Sequence, residues 1–226
     1  MGSQRRQQPV EGVLFDFGYT LFGHAPGWEV VTSWAIDQGR DLPDDEARAI
    51  WQRIDDATTH PAEMALGRDL DAEVWDSRFR VLYALADEEL PGLGAELHRS
   101  FHDPLDWHPY ADALPTLQRL SEMGIPAGIA SNTGWDVGAV VEHHRFGPHL
   151  AAVTKSYEVK SSKPDPAIFH AACDAIGLAP ERVLMVGDDP VADRGALAAG
   201  LADVIILDRS TPLGGTHGLE AVFNFL

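Results

Sequence analysis

Four short apolar runs, each carrying a polar residue at or next to its end, limit what this chain can fold into more than any other feature. They are Val10 to Phe17 (VEGVLFDF), Ile125 to Asn132 (IPAGIASN), Arg182 to Asp188 (RVLMVGD) and Ala202 to Asp208 (ADVIILD). Ala151 to Lys155 (AAVTK) is a weaker fifth. Short runs that are apolar on both faces are what fully buried parallel strands require. Helical patterns lie between them. Ala111 to Met123 carries Leu114, Leu117 and Leu120 at helical spacing and stops at Gly124. Pro164 to Ile176 stops at Gly177, with Pro164 suited to a first turn, and Asp188 to Ala199 stops at Gly200. Strand and helix alternating in this way predict an α/β fold with a doubly wound parallel sheet. Its active site is expected outside the carboxyl ends of the strands, where each run places its polar residue.

The stretch from Gly23 to Asp106 breaks the rhythm. Helices are expected over Asp44 to Thr59 (Ala47, Ile50, Trp51 and Ile54 on one face), over Leu70 to Ala86 (Val74, Trp75, Phe79, Leu82 and Ala86) and, less distinctly, over Trp28 to Ile36. An all-helical module is therefore read as inserted after the first strand. The expected division is a core of residues 1–22 and 107–226 and a cap of residues 23–106. The insert holds 19 acidic residues against 7 arginines, and no lysine. Trp28, Trp34, Trp51 and Trp75 sit in it, expected to fill a small bundle core rather than to line a substrate site.

A chain of 226 residues with net charge −18 repels phosphate backbones, so nucleic-acid binding is not expected. The only lysines, Lys155, Lys160 and Lys163, lie in one short stretch. No apolar run reaches the ~20 residues of a membrane span. The leader MGSQRRQQPV has two arginines but no apolar segment after them, so it reads as a polar, mobile leader rather than a signal peptide. Cys173 stands alone, which excludes an internal disulfide and any multi-cysteine metal site. These features point to a soluble cytoplasmic protein with no membrane partner.

Within FDFGYTLF, Asp16 ends a buried strand; taken alone, a carboxylate there caps a strand-to-loop turn as readily as it does chemistry. In MVGDDPVADRGA, Gly187 permits a tight turn and is followed by Asp188, Asp189 and Asp193. Carboxylates gathered at one strand end repel one another unless a cation joins them, and Mg2+ takes oxygen ligands of this kind. Asp189 or Asp193 could equally favour a helix N-terminus. Ser131, Asn132 and Thr133 offer donors for an anion or an N-cap. Lys163, in SSKPDP, can neutralise both a carboxylate and a phosphoryl group.

In this order the segments resemble the four motifs of the haloacid dehalogenase superfamily. Asp16 to Leu21 resembles the first, Ser131-Asn132 the second, Lys163 with the following PDP the third, and Gly187 to Asp193 the fourth. The insert resembles the helical cap of the phosphoglycolate-phosphatase-like branch, and Trp107 to Leu120 (WHPYADALPTLQRL) that branch's return from cap to core. The resemblance implies a Mg2+-dependent hydrolase acting on a small phosphorylated metabolite. Asp16 would attack phosphorus and become an aspartyl-phosphate. Asp16, the carbonyl of Gly18, and Asp188 would hold Mg2+, supported by Asp189 and Asp193. Ser131, Asn132 and Lys163 would bind the phosphoryl group, and the cap would close over it.

The chain departs from that pattern at Gly18, where family phosphatases carry a second aspartate that protonates the leaving group. One reading is a phosphatase with a substitute acid, drawn from Tyr19 or His24, or with substrates whose leaving groups need none. His24 also fits an exposed hinge. Among other branches, phosphonoacetaldehyde hydrolases need a cap lysine that is absent here. Haloacid dehalogenases do not gather the aspartates seen at 188 and 189, and phosphomutases depend on the missing aspartate. A different class is a catalytically weak relative that binds a phosphorylated ligand or a protein partner.

Overall fold

The structure is a computed structural model that describes residues 9–226; of the polar leader, residues 1–8 lie outside the described residues. Strands β1 (Gly12–Phe15), β4 (Ala127–Ser131), β5 (Ala152–Lys155), β6 (Val183–Gly187) and β7 (Asp203–Ile206) form one parallel sheet in the order β5-β4-β1-β6-β7. Each falls within one of the five apolar runs. Strands β2 (Phe22–His24) and β3 (Trp107–Pro109) pair antiparallel as a separate ribbon, Phe22 opposite Pro109 and His24 opposite Trp107. Three-residue strands carry too little pattern to be read from sequence.

The sheet is buried on both faces because consecutive side chains alternate between them. Val13 and Phe15 enter one apolar cluster with Ile129, Leu184 and Val186. Leu14 enters the other with Ala130, Val183 and Met185. Between the ribbon strands run α1 (Gly27–Asp37), α2 (Asp44–Thr59), α3 (Pro61–Met64), α4 (Ala72–Tyr83) and α5 (Leu93–His102). The remaining helices are α6 (Ala113–Glu122), α7 (Gly138–His143), α8 (Ser156–Val159), α9 (Pro166–Ala175) and α10 (Gly195–Ala198). Leu117 and Leu120 of α6 cover the first cluster; Ile168, Phe169, Ala172 and Cys173 of α9 cover the second. Among the described residues no helix is long and apolar enough to cross a membrane.

Helix α2 has the predicted bounds: Asp44, Asp45 and Glu46 fill its first turn, where carboxylates favour the positive end, and Ala47, Ile50, Ile54 and Thr58 face inward. Helix α4 starts where the Asp71 carboxylate accepts from the Glu73 and Val74 amides. It buries Trp75, Phe79 and Leu82, whereas Val74, expected on that face, is exposed. Trp75 is buried, but Trp51 is only partly so and lines a cavity, which splits the expectation for the tryptophans.

Two helix expectations are corrected. Helix α9 begins at Pro166 rather than Pro164, because the Asp165 carboxylate caps it by accepting from the Ala167 amide at 2.8 Å. The helix expected over Asp188 to Ala199 is reduced to Gly195–Ala198. Asp189 Oδ1 accepts from the Val191 and Ala192 amides, and Asp193 Oδ2 from the Asp189 amide. These side-chain bonds hold the segment in turns that compete with a helix.

Candidate active site

Because β1 lies between β4 and β6, the carboxyl ends of three neighbouring strands bring together Asp16, Ser131 with Asn132, and Asp188. This central position is where a doubly wound sheet opens its crevice. Lys163 enters from the loop before α9 and joins the carboxylates: its Nζ lies 2.9 Å from Asp16 Oδ1 and 2.7 Å from Asp193 Oδ1. The lysine side chain is 1% exposed and that of Asp193 is fully buried, whereas Asp16 keeps 16% of its side chain exposed and is the member of the triad that faces solvent.

Asp16 is held by one oxygen only. Oδ1 accepts from the Phe17 amide at 2.7 Å and from Lys163, which leaves Oδ2 without a hydrogen bond among the described residues. Burial pushes its carboxyl up to about 7, against the pull of Lys163, and the neighbouring Asp193 and Asp188 push the same way. Burial also lowers the Lys163 ammonium, but Asp16 and Asp193 outweigh it and hold the lysine above its ordinary value. Asp188 is likewise raised by burial, with Arg209 pulling it back. Its Oδ1 accepts from Thr20 Oγ1 at 3.2 Å, while the buried Oδ2 has no hydrogen-bond partner and lies 3.4 Å from the Arg209 guanidinium.

The sequence-derived site residues divide by what their polar atoms already do. Asp16, Asp188 and Asp193 each offer a carboxylate oxygen within 4.8 Å of the others. Asp193, however, has both oxygens engaged, one by Lys163 and one by the Asp189 amide. It therefore anchors Lys163 and the turn rather than presenting a free donor. Gly187 has no room for a side chain, since a Cβ there would run into the Asp193 carboxylate. Asp189 is occupied as a turn cap. The Gly18 carbonyl accepts no backbone hydrogen bond among the described residues, the turn being closed instead on the Phe17 and Phe22 carbonyls. Free carboxylate oxygens on Asp16 and Asp188 beside an unused carbonyl form an all-oxygen donor set of the kind Mg2+ takes.

Ser131 is buried at the end of β4, and no hydrogen bond from its hydroxyl is found among the described residues. Asn132 does not present its amide freely: Nδ2 donates to the Lys163 carbonyl at 2.8 Å and Oδ1 accepts from the Lys163 amide at 2.7 Å. Through these two bonds it positions the Lys163 backbone. His24 has Nδ1 2.7 Å from the Ala25 carbonyl and Nε2 3.2 Å from the Ser100 carbonyl, and its ring stacks on Phe101. Burial lowers its pKa, so at neutral pH it carries one proton, already directed at a carbonyl. That arrangement does not present a free acid, and the packed, part-buried ring is not an exposed hinge residue either.

Two residues escaped sequence reading. Thr20 is fully buried and anchors Asp188. Arg209 follows β7, stacks over Tyr19 at 4.0 Å and pairs with Asp188. The strand-end rule that marked Asp16 and Asp188 also pointed to the residues just beyond β7. Tyr19 itself has a φ of 54°, a left-handed backbone that side chains adopt reluctantly. Arg209 and Tyr19 also border a cavity of about 460 Å³ whose wall includes Trp51, Asp55 and Tyr83 from the helical insert. Asp16, Ser131 and Lys163 are not in its wall, so it meets the carboxylate centre through Arg209.

Residues 10–200 match the haloacid dehalogenase-like hydrolase family. The chain belongs to that family. Among its curated relatives is a glyceraldehyde 3-phosphate phosphatase of Methanopyrus kandleri, 38% identical over 126 residues, which are 54% of this chain and 53% of that one. A phosphoglycolate phosphatase of Shigella boydii is 26% identical over 218 residues, 87% of this chain and 81% of that one. The chain spans about half the length of several curated relatives it matches, between 43% and 55%. A solved dehalogenase shares the fold with a TM-score of 0.70 at 21% identity, covering 96% of this chain and 97% of that one. This haloacid dehalogenase-like hydrolase thus carries the fold of a solved dehalogenase on a divergent sequence.

Proposed function

We propose that the chain hydrolyses the phosphate ester of a small metabolite, with Asp16 as nucleophile and Mg2+ as cofactor. One observation carries this reading: Asp16 Oδ1 is tied to Lys163 and the Phe17 amide, while Oδ2 is free beside an all-oxygen donor set. The phosphatases among its relatives agree with it. Asp16 Oδ2 attacks phosphorus, and the bond from phosphorus to the leaving oxygen breaks. Water then attacks the phosphorus of the aspartyl-phosphate, releasing inorganic phosphate and restoring the carboxylate. Lys163 Nζ and Ser131 Oγ hold phosphoryl oxygens, and Asn132 keeps Lys163 in place. Mg2+ held by Asp16, Asp188 and the Gly18 carbonyl, with Asp193 in support, would neutralise charge on the phosphoryl oxygens. Residues 23–106 serve as a cap, and the cavity beside Arg209 takes the leaving group, its volume being within the range of small-molecule sites.

Protons compete with the cation for Asp16. With that carboxyl pushed up to about 7, Mg2+ affinity is expected to rise roughly tenfold between about pH 6 and pH 8. Calorimetric titration across that range checks this, and Asp16→Asn should flatten the dependence.

Gly18 defines the leaving group. General acid help is worth ~10²–10⁴-fold, and a glycine supplies none. A Cβ at position 18 would meet only the Trp107 ring, at 4.0 Å, so a side chain can start there without a clash. Gly18→Asp is expected to raise turnover of alkyl phosphates by up to about 10²-fold and of aryl phosphates much less, because only poor leaving groups need the proton. Equal gains on both classes would show that Gly18 does not limit the rate.

The same glycine favours a second reading. A halide displaced from a 2-halo acid by Asp16 needs no proton, and the fold is shared with dehalogenases. A screen with and without Mg2+ that follows phosphate release from aryl and alkyl phosphates, and halide release from 2-haloalkanoates, tests the proposal. Mg2+-dependent phosphate release supports it; halide release alone replaces it with dehalogenation; release of neither overturns both.

A further inference from the structure

A second cluster of ligating side chains lies apart from the carboxylate centre, on the face shared by α4 and α5. His98 and His102 stand one helical turn apart on α5, with ring centroids 4.4 Å from each other. Asp76 of α4 points at them, its Oδ1 2.8 Å from His98 Nε2. One ligand atom from each of the three lies within 4.8 Å of the other two. Two of the three side chains are oriented by a further partner. His102 Nδ1 sits 2.7 Å from the His98 carbonyl, so that nitrogen carries the proton and Nε2 presents its lone pair. Arg80 Nε donates to Asp76 Oδ2 at 2.8 Å, which directs Oδ1 toward His98. His98 is only 9% exposed, yet the three side chains border an open cavity of about 480 Å³. Arg99, also on its wall, is clamped by Glu96 and Asp103, so its charge is already offset.

We propose that Asp76, His98 and His102 form a zinc site on this face. Two imidazole nitrogens and one carboxylate are a donor set for Zn2+ rather than Mg2+, which prefers oxygen alone. Two donors at about 2.0 Å from a tetrahedral zinc stand about 3.3 Å apart, so the ion would replace the proton that His98 Nε2 shares with Asp76, releasing it to solvent while those two part only slightly and His102 closes in, with solvent in the fourth position. The ion would staple α4 to α5. It would also touch the seam with the sheet domain, since the His102 ring packs against Trp75 at 5.4 Å and Trp135 at 5.3 Å. The proposal does not depend on the phosphatase reading.

The test uses full-length protein freed of any histidine tag, titrated with Zn2+ in excess Mg2+ by calorimetry, and with Cu2+ as a quencher of tryptophan fluorescence. One zinc equivalent is expected to bind, to raise the melting temperature and to be retained in Asp188→Asn. His102→Gln and Asp76→Asn should each weaken zinc binding by roughly tenfold or more. His102→Gln should also remove the copper quenching, with circular dichroism confirming that both variants fold. Absence of zinc binding, binding indifferent to both variants, or binding lost in Asp188→Asn instead would overturn the proposal.

Discussion

Replacing Asp16 with asparagine is expected to lower turnover by about three orders of magnitude or more, the largest single effect on activity. Asparagine keeps the size of the side chain. Its Oδ1 can still accept from Lys163 and from the Phe17 amide, the two bonds that hold the native carboxylate. What disappears is the negative charge of the carboxylate, on which both the attack by Oδ2 and the affinity for a cation depend. The fold should survive, because the variant introduces no new buried charge and Lys163 keeps Asp193 as a partner at 2.7 Å. Initial rates with saturating Mg2+, read beside thermal unfolding, separate the two consequences. A variant that retains a tenth of native turnover would exclude Asp16 as nucleophile.

Lys163→Met should have the largest effect on stability. Methionine fills much of the same volume but leaves Asp16 and Asp193 buried without their shared cation. Breaking a buried ion pair from one side costs about 3–5 kcal/mol. The sign of the pH dependence follows from Asp16. Its folded carboxyl is already raised to about 7 by burial, and Lys163 is the main influence holding it down. Without the lysine it rises further. A carboxyl raised on folding contributes stability below its unfolded pKa, near 3.8, and loses it as pH climbs through the folded value. The deficit of the variant should therefore be wider at pH 8 than at pH 5. Denaturant unfolding of both proteins at the two pH values, without added metal, measures it. An equal gap at both would mean that unpaired carboxylates are not its source.

The parts of this account that were legible in the sequence are those fixed by burial. Strands β1, β4 and β6 are buried along their whole length and the edge strands β5 and β7 partly so, which makes their apolar runs legible, and the polar residue that closes a run falls at the carboxyl end of the sheet. Asp16, Ser131 and Asp188 could be named for that reason. Helix α5 could not, because polar residues and Gly94 thin its apolar face and a Gly92 at φ 85° precedes it. Gly94 is required there by close contact with the Tyr83 and Ala84 backbone, a tertiary constraint with no local trace. Partnership was equally hidden. Asn132 reads as a donor to an anion, and only the fold shows that its amide also brackets the Lys163 backbone, 31 residues away. Asp193 reads as a metal ligand, and only the fold shows that its two oxygens also hold Lys163 and the Asp189 amide. Arg209 and Thr20 acquire meaning only from Asp188, to which the fold brings them.

The central claim is that Asp16 becomes phosphorylated during turnover. Acid quenching in mid-reaction, followed by peptide mass spectrometry, tests it most directly. The account predicts one phosphoryl group per chain on the peptide containing Asp16, stable in acid, released by base and absent from Asp16→Asn. Rapid phosphate release with no adduct on that peptide, or with an adduct elsewhere, would contradict it.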